Sequence, residues 1–196
     1  VPPSSSAGSA APAPRPGWTE PPVSHLGYSF LLPEGWKVTV QDNGEASSSS
    51  SSKPDFARSI LGDFKKAESV VVATNMNFDA SSMAVQILIA EVGKRGNISA
   101  ETAVLELIDN VKRSRKLLTE PVIKDVELPV GTAKRCKTAW TESFGFLGNS
   151  SEIMTTLNVY GLVDGDRHFR FMFMNAGDDD APEIPTKQIL ETFRVK

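Results

Sequence analysis

Residues 152–175, EIMTTLNVYGLVDGDRHFRFMFMN, decide the fold because they contain two long alternating runs on either side of Asp164-Gly165. Asp-Gly between alternating runs favours a tight hairpin turn, since the central residues of that turn need a positive φ. The stretch therefore predicts two long antiparallel strands joined at Asp164-Gly165.

The two predicted strands each carry a strongly apolar face. Three phenylalanines alternate along the return strand, and His168, Arg170 and two methionines occupy the positions between them. Because successive side chains of a strand point to opposite faces, the phenylalanines share one face and should organise a core. The residues that share these faces are Ile153, Thr155, Leu157, Val159 and Val163 on the first strand and Phe169, Phe171 and Phe173 on the second.

Strands and one clear helix are predicted before this hairpin. The runs 70–75 and 83–92 are rich in β-branched residues, and apolar residues on both sides of 83–92 are typical of a central strand. Helical spacing of apolar residues after a possible Ser99 N-cap predicts a helix over 99–118. Alternation then predicts strands at 122–128 and 133–143.

The two ends of the folded part carry further signals. Alternating apolar residues on both sides of Pro33-Glu34-Gly35 predict a hairpin over 26–40. Residues 181–196 predict a closing helix, and residues 54–67 a short amphipathic one. The expected fold class is α+β: a twisted antiparallel sheet of about six to seven strands with helices on both faces, an α/β/α sandwich.

Two segments have compositions that disfavour packing. Residues 1–25 are rich in Pro, Ser and Ala and are predicted to be a disordered tether, with Trp18 as a side chain that can dock on the domain. The tether is interpreted either as a tail without function or as a spacer, as in the mature part of a bacterial lipoprotein. Residues 26–196 are predicted to form a single domain, with a serine-rich loop at 46–53.

Composition excludes several classes of protein. The net charge of −3 gives no reason to expect nucleic acid as a partner, and one cysteine allows no internal disulfide. No apolar run approaches the roughly 20 residues of a membrane span. We expect no signal peptide in this form of the chain and contact with a membrane only through an N-terminal lipid anchor that this chain lacks.

The order of these elements resembles the PsbP family and the fold it shares with Ran-binding import factors and small bacterial envelope lipoproteins. The resemblance rests on residues 27–36, GYSFLLPEGW, on 77–82, NFDASS, on the helix opening at Ser99-Ala100-Glu101, and on the 164–165 hairpin with its closing helix. It extends over most of residues 26–196. It implies a PsbP-like fold and a non-enzymatic binding role, often at a membrane-associated assembly.

Candidate binding residues fall into two groups. His168 and Arg170 are predicted on the strand face opposite the phenylalanines, either as a binding pair or as the solvated side of the strand. The last turns of the helix carry a basic group that can contact an acidic partner or lipid headgroups, or is simply a solvated helix end. This group comprises Lys112, Arg113, Arg115 and Lys116.

No catalytic motif is recognised, and no cofactor is predicted. The run Asp178, Asp179 and Asp180 is a weak metal candidate, because it lacks the alternating spacing of a calcium loop. Cys136 is expected to be a buried, inert thiol, since the alternation of its strand turns Arg135 and Lys137 away from it.

These observations predict a non-enzymatic cell-envelope protein that binds a protein partner or supports an assembly. The predicted location is extracytoplasmic, on the bacterial envelope, with the thylakoid lumen as the alternative. The alternative function is a small-molecule or lipid binder with a pocket between sheet and helix. A ligand binder needs an enclosed cavity of roughly 300–1,000 Å³, whereas a partner binder needs a filled core and an exposed patch.

Overall fold

The computed structural model describes residues 15–42, 67–78, 83–146, 149–177 and 183–196. These residues contain two α-helices, α1 (Ala100–Ser114) and α2 (Thr186–Glu191), and one 3-10 turn (Ser24–Leu26). The strands, in chain order, are β1 (Trp18–Thr19), β2 (Tyr28–Ser29), β3 (Leu32–Pro33), β4 (Lys37–Asp42), β5 (Ser69–Phe78), β6 (Met83–Lys94), β7 (Val122–Leu128), β8 (Gly131–Phe146), β9 (Asn149–Asp164), β10 (Arg167–Gly177) and β11 (Arg194–Val195).

Seven of these strands form one large sheet, and the fold is mostly β. Its strand order is β4-β5-β6-β10-β9-β8-β7, and every neighbouring pair is antiparallel. Two small two-stranded sheets, β1-β3 and β2-β11, accompany it. The predicted antiparallel sheet of six to seven strands is confirmed, and β10 lies at its centre.

The hairpin predicted from residues 152–175 is confirmed, but its turn lies one residue later than predicted. Asp164 is paired with Arg167, so the two residues of the turn are Gly165 and Asp166. Gly165 has a φ of +58°, which glycine adopts without steric cost. The alternation predicted the two strands correctly, whereas the Asp-Gly signal placed the turn at the wrong pair.

The three phenylalanines of β10 form the centre of an aromatic cluster. Phe193 packs against Phe171 with ring centroids 4.8 Å apart and against Phe169 at 5.2 Å, both edge to face. Tyr28 contacts Phe169 in the same manner at 6.0 Å. Such edge-to-face pairs add about 0.5–1.5 kcal/mol each beyond the burial of their area. We call this side of the sheet the aromatic face.

The other side of the sheet packs against α1 and is called the helix face. The buried side chains of α1 meet Trp140 and Leu157 from the sheet, together with the methionines of β10. The closest approach is at Gly161, where an added Cβ would lie 2.3 Å from the carbonyl oxygen of Ala100. The α1 side chains in this core are Val104, Leu107, Ile108 and Val111.

Helix α1 confirms the predicted helix at its start and ends earlier than predicted. Ser99 is the N-cap, and its Oγ accepts a hydrogen bond from the backbone N–H of Thr102 at 3.0 Å. The helix ends at Ser114, and Leu118 instead donates its N–H to the carbonyl of Ala139 on β8. Neither helix in the described part of the chain is long and apolar enough to cross a membrane.

The described part of the N-terminal segment packs against the sheet but does not form the predicted hairpin. Residues 15–25 of the predicted tether are described: Trp18 packs on the aromatic face, and Val23 is buried. The hairpin predicted over 26–40 is wrong, because β3 pairs with β1, β2 with β11, and β4 with β5. The segment crosses the aromatic face and supplies its cover.

The C-terminal helix is shorter than predicted. Helix α2 ends at Glu191, and Arg194–Val195 then pair with β2. Ile189 and Leu190 of this helix and the following Phe193 are buried in the aromatic face. The serine-rich loop at 46–53 and the helix predicted at 54–67 lie outside the described residues, except that Ala67 is described and buried.

Burial of Tyr28 predicts a loss of stability in alkaline solution. Burial raises the pKa of Tyr28 to about 12, from an ordinary value of 10.0. Below pH 10 the phenol is neutral in both states. As the pH rises from 10 to 12 the unfolded chain loses this proton first, so the free energy of unfolding falls by roughly 2–3 kcal/mol. Urea unfolding at pH 9 and pH 11.5 measures the fall.

The matched control is Tyr28→Phe, which removes the titrating group and keeps the ring. Its stability should fall less between the two pH values than that of the unaltered chain. Burial also raises the pKa of Tyr160, so part of the fall will remain in this variant. An equal fall in both proteins would contradict the assignment to Tyr28.

Candidate functional site

His168, predicted on an exposed strand face, is buried with 6% of its surface accessible. Its Nδ1 lies 3.0 Å from the carbonyl oxygen of Lys94, and its ring packs on Gly93, where a Cβ would lie 2.5 Å from the ring. The predicted face opposite the phenylalanines is correct. The prediction of a solvated face is wrong, because α1 covers that side of the sheet.

Arg170 belongs to the same covered face and pairs with Glu91. The two residues are directly opposite across β10 and β6, and the Nε of Arg170 donates to Glu91 Oε2 at 2.8 Å, with a second contact from Nη2. Nη1 donates to the carbonyl oxygen of Ala103 in α1 at 3.2 Å. Only 13% of the Arg170 side chain is exposed, so this arginine joins the helix to the sheet. Its binding role stays a prediction.

The basic group at the end of α1 is partly engaged in local contacts. Arg115 forms an ion pair with Glu142 at 2.5 Å, and Lys112 lies 3.8 Å from Glu120. Arg113 donates to Asn110 Oδ1 at 2.8 Å within the helix, whereas Lys116 is exposed. The residues therefore do not converge on one point, and their role in binding stays a prediction.

The remaining predicted positions give no site. Asp178, Asp179 and Asp180 lie outside the described residues, and the described ranges contain no group of three or more side chains suited to a metal ion. Cys136 is buried in the helix face, as predicted, and its burial raises the pKa of the thiol.

An open cleft of about 390 Å³ lies at the β7 edge of the sheet. We call it the basic cleft, because its lining contains three cationic side chains and only one carboxylate. Val122, whose surface is 58% exposed, forms part of the wall, so the cleft is open to solvent. The lining residues are Thr119, Glu120, Val122, Lys124, Arg135, Lys137, Thr138 and Ala139.

The strand register brings the three cations together. Lys124 is directly opposite Arg135, and Lys137 is directly opposite Val122. Residues directly opposite in an antiparallel pair project from the same face with Cβ atoms about 4.5–5.5 Å apart. Arg135 is in turn opposite Tyr160, a member of the aromatic core. The cations therefore extend the aromatic face beyond its covered part.

Arg135 is the best positioned of the three. Its Nη2 donates to Asn158 Oδ1 at 2.9 Å, and its guanidinium carbon lies 5.7 Å from the centre of the Tyr160 ring. A cation over an aromatic ring is stabilised by about 0.5–1 kcal/mol at exposed sites and by more when water is excluded. The side chain is therefore held in place before any ligand arrives.

Acidic side chains of β7 are turned to the other face. Asp125 is opposite Lys134 and pairs with it at 2.6 Å, and Glu127 accepts a hydrogen bond from Thr132. On the cleft side, β7 carries only Val122, Lys124, Val126 and Leu128. The cleft is thus basic although the whole chain has a net charge of −3. This chemistry suits carboxylate or another anion.

Sequence reasoning missed this cluster although its signal is present. Arg135 and Lys137 were recognised only as residues that point away from Cys136. Lys124 alternates with apolar residues in the neighbouring strand, and a register between the two predicted strands would have brought the three cations together. No such register follows from alternation alone, because pairing also depends on the turn at Pro129-Val130.

No protein-family model matches the chain, and no curated protein matches it. One solved structure, a crystal structure of a protein from Bacteroides thetaiotaomicron, is similar with a TM-score of 0.42 and 11% identity. The similarity covers 87% of this chain, which spans 45% of that protein. A likeness at this level supports no assignment of fold or function.

Glu91 is expected to be necessary for stability. In Glu91→Gln the guanidinium of Arg170 keeps its charge in a buried position without its counter-ion, and removal of one partner of a buried pair costs roughly 3 kcal/mol or more. The double variant Glu91→Leu with Arg170→Met should recover much of this loss. Urea unfolding at pH 7 measures all three proteins.

The matched control is Glu120→Gln, which breaks the exposed pair with Lys112. Exposed ion pairs contribute little, so this variant should unfold close to the unaltered protein. If Glu91→Gln behaves like Glu120→Gln, the buried pair does not stabilise the junction between helix and sheet.

Proposed function

We propose that this chain is a non-enzymatic binding or assembly-support module of the cell envelope, with a protein as its partner. The observation that supports this proposal best is the contrast between its interior and its edge. Two clusters of buried side chains fill the two sides of the sheet, whereas the basic cleft is open and bears unneutralised charge. A filled core with an exposed charged patch suits a partner binder.

The proposal includes a PsbP-like α+β sandwich with helices on both faces. This part of the proposal is supported by the residues that each helix contributes to the two buried clusters. The apolar residues of α1 belong to the helix face, and Ile189 and Leu190 of α2 belong to the aromatic face. Helix α2 is short, so the N-terminal segment with Trp18 and Val23 provides much of the second layer.

The proposed location is extracytoplasmic, through an N-terminal lipid anchor on a longer precursor, with the thylakoid lumen as the alternative. The support is the composition of the segment before Arg15, which suits a spacer between a membrane and a packed domain. We expect the product of the complete gene to fractionate with membranes and to be released by detergent. Replacement of the anchoring cysteine in the precursor should move it to the soluble fraction. A precursor that stays soluble would overturn this part of the proposal.

The second candidate is a small-molecule or lipid binder. It is favoured by the volume of the basic cleft, about 390 Å³, which lies within the range of ligand pockets. However, Arg135 and Lys137 place this cleft on the aromatic side of the sheet, whereas the predicted pocket lies between sheet and helix. A ligand there would have to be anionic.

The two candidates are separated by native mass spectrometry of the chain purified from its own cells. The leading proposal expects the mass of the polypeptide alone, and a mass increment lost on denaturation would favour the small-molecule binder. In the same cells, a photo-crosslinking amino acid is placed at the exposed positions Met76, Leu105, Val122 and Met154. The proposal expects a protein adduct of discrete size at one or more positions, the others serving as controls. No adduct at any of them would contradict it.

A further inference from the structure

The outer edge of β7 is unpaired in the described chain. β7 is the last strand in the sheet order, and its register joins it to β8 alone. Such an edge presents a row of backbone N–H and C=O groups that can pair with another chain. Pro121 and Pro129 stand immediately before and after the strand, and proline cannot donate to a ladder. The seven residues of β7 are therefore the available length.

The two faces of this edge differ in charge. The cleft side carries Lys124, next to Arg135 and Lys137 of β8, whereas the helix side carries Asp125 and Glu127. A strand added to β7 would place alternate side chains on these two faces. Its residue opposite Lys124 would lie over the basic cleft, and its residues opposite Asp125 and Glu127 would lie on the other face. An acidic residue is therefore favoured opposite Lys124 and disfavoured opposite Asp125 and Glu127.

Exposed apolar side chains fall on the cleft side of the same edge. Val122 is 58% exposed, and Val126 is partly buried against the aromatic core. These two valines lie two residues before and after Lys124. Cross-strand pairs of β-branched residues and of opposite charges each stabilise a sheet by about 0.2–1 kcal/mol. On the cleft side, the edge therefore presents an apolar, a basic and an apolar side chain at Val122, Lys124 and Val126.

We propose that β7 accepts an extended acidic segment of a protein partner as an added strand, with a carboxylate of that segment over Lys124, Arg135 and Lys137. The backbone of the segment pairs with the free edge, and the basic cleft selects its charge. This names the class of partner for the proposed function and rests on it. Peptides that add a strand gain affinity from main-chain hydrogen bonds and specificity from alternate side chains.

A short peptide tests the inference directly. It has seven residues and blocked ends, with threonine at positions 1, 3, 5 and 7, valine at 2 and 6, and glutamate at 4. The pattern reads the same in both directions, so it can place glutamate opposite Lys124 in a parallel or an antiparallel pair. Titration into the ¹⁵N-labelled chain is expected to shift the amide signals of β7 and the cleft. Shifts confined to the opposite edge, β4, would overturn the inference.

Charge reversal tests the selectivity. A peptide with lysine at position 4 should bind the unaltered chain about ten-fold more weakly, because an attractive cross-strand pair is replaced by a repulsive one. In Lys124→Glu this preference should fall, because the glutamate of the peptide then faces a carboxylate beside Arg135 and Lys137. Lys37→Glu, an exposed change on β4 at the opposite edge of the sheet, is the matched control and should leave the preference unchanged. Equal binding of both peptides, or a preference that Lys124→Glu does not alter, would overturn the inference.

N-methylation tests strand pairing itself. One version of the peptide is methylated on the backbone nitrogens of the valines and the glutamate, and the other on the inner threonines. An added strand presents only one of these two sets to β7, so one version should lose binding and the other keep it. Equal behaviour of both would overturn strand addition. If no peptide binds but the crosslinking experiment gives a protein adduct at Met76, Leu105 or Met154, this inference is overturned. The proposed function then still stands.

Discussion

The whole structure depends on one constraint: the central strand β10 must bury both of its faces. Phe169, Phe171 and Phe173 fill the aromatic face, and Met172 and Met174 enter the core under α1. Burying a large apolar side chain contributes about 1.5–3 kcal/mol, so a strand that does this on both sides anchors two cores at once. Covering layers are therefore required above and below it, and the N-terminal segment, α1 and the C-terminal end supply them.

The polar residues of β10 have to be accommodated inside that arrangement. Arg170 points toward α1, where its charge is matched by Glu91 and its remaining donor reaches the Ala103 carbonyl. Pairing of this kind offsets the cost of taking two charges out of water, although a buried pair is often no more stable than an apolar replacement. The pair also orients the helix, because the hydrogen bonds of the guanidinium fix the position of α1 over β6 and β10.

Much of the sheet follows from alternation in the sequence, since period-two patterns report directly which side chains are buried. The long hairpin and the strands around Ile87 and Cys136 were predictable for that reason, and the Ser99 cap was predictable from the helical spacing that follows it. The N-terminal segment was not. Its backbone pairs with distant strands, as between Tyr28 and Val195, and local pattern gives no information on such partners. His168 was misjudged because a polar residue on an alternating strand indicates solvent only where nothing covers that face.

The basic cleft illustrates the same limit. Each of its cations looked like an ordinary exposed residue, and only the register between β7, β8 and β9 places Lys124, Arg135 and Asn158 in neighbouring rows. Function at a sheet edge is a property of several strands together. Charge on a single strand therefore carries little information until its neighbours are known.

The opposite charges on the two faces of β7 also bear on how copies of this protein meet. Two β7 strands aligned antiparallel about their midpoint would bring Asp125 against Asp125, and a slip of two residues would bring Lys124 against Lys124. Like charges directly opposite are destabilising in a sheet. The edge thus discourages self-association, which is the usual hazard of an uncovered strand, while staying open to a chain with the complementary pattern.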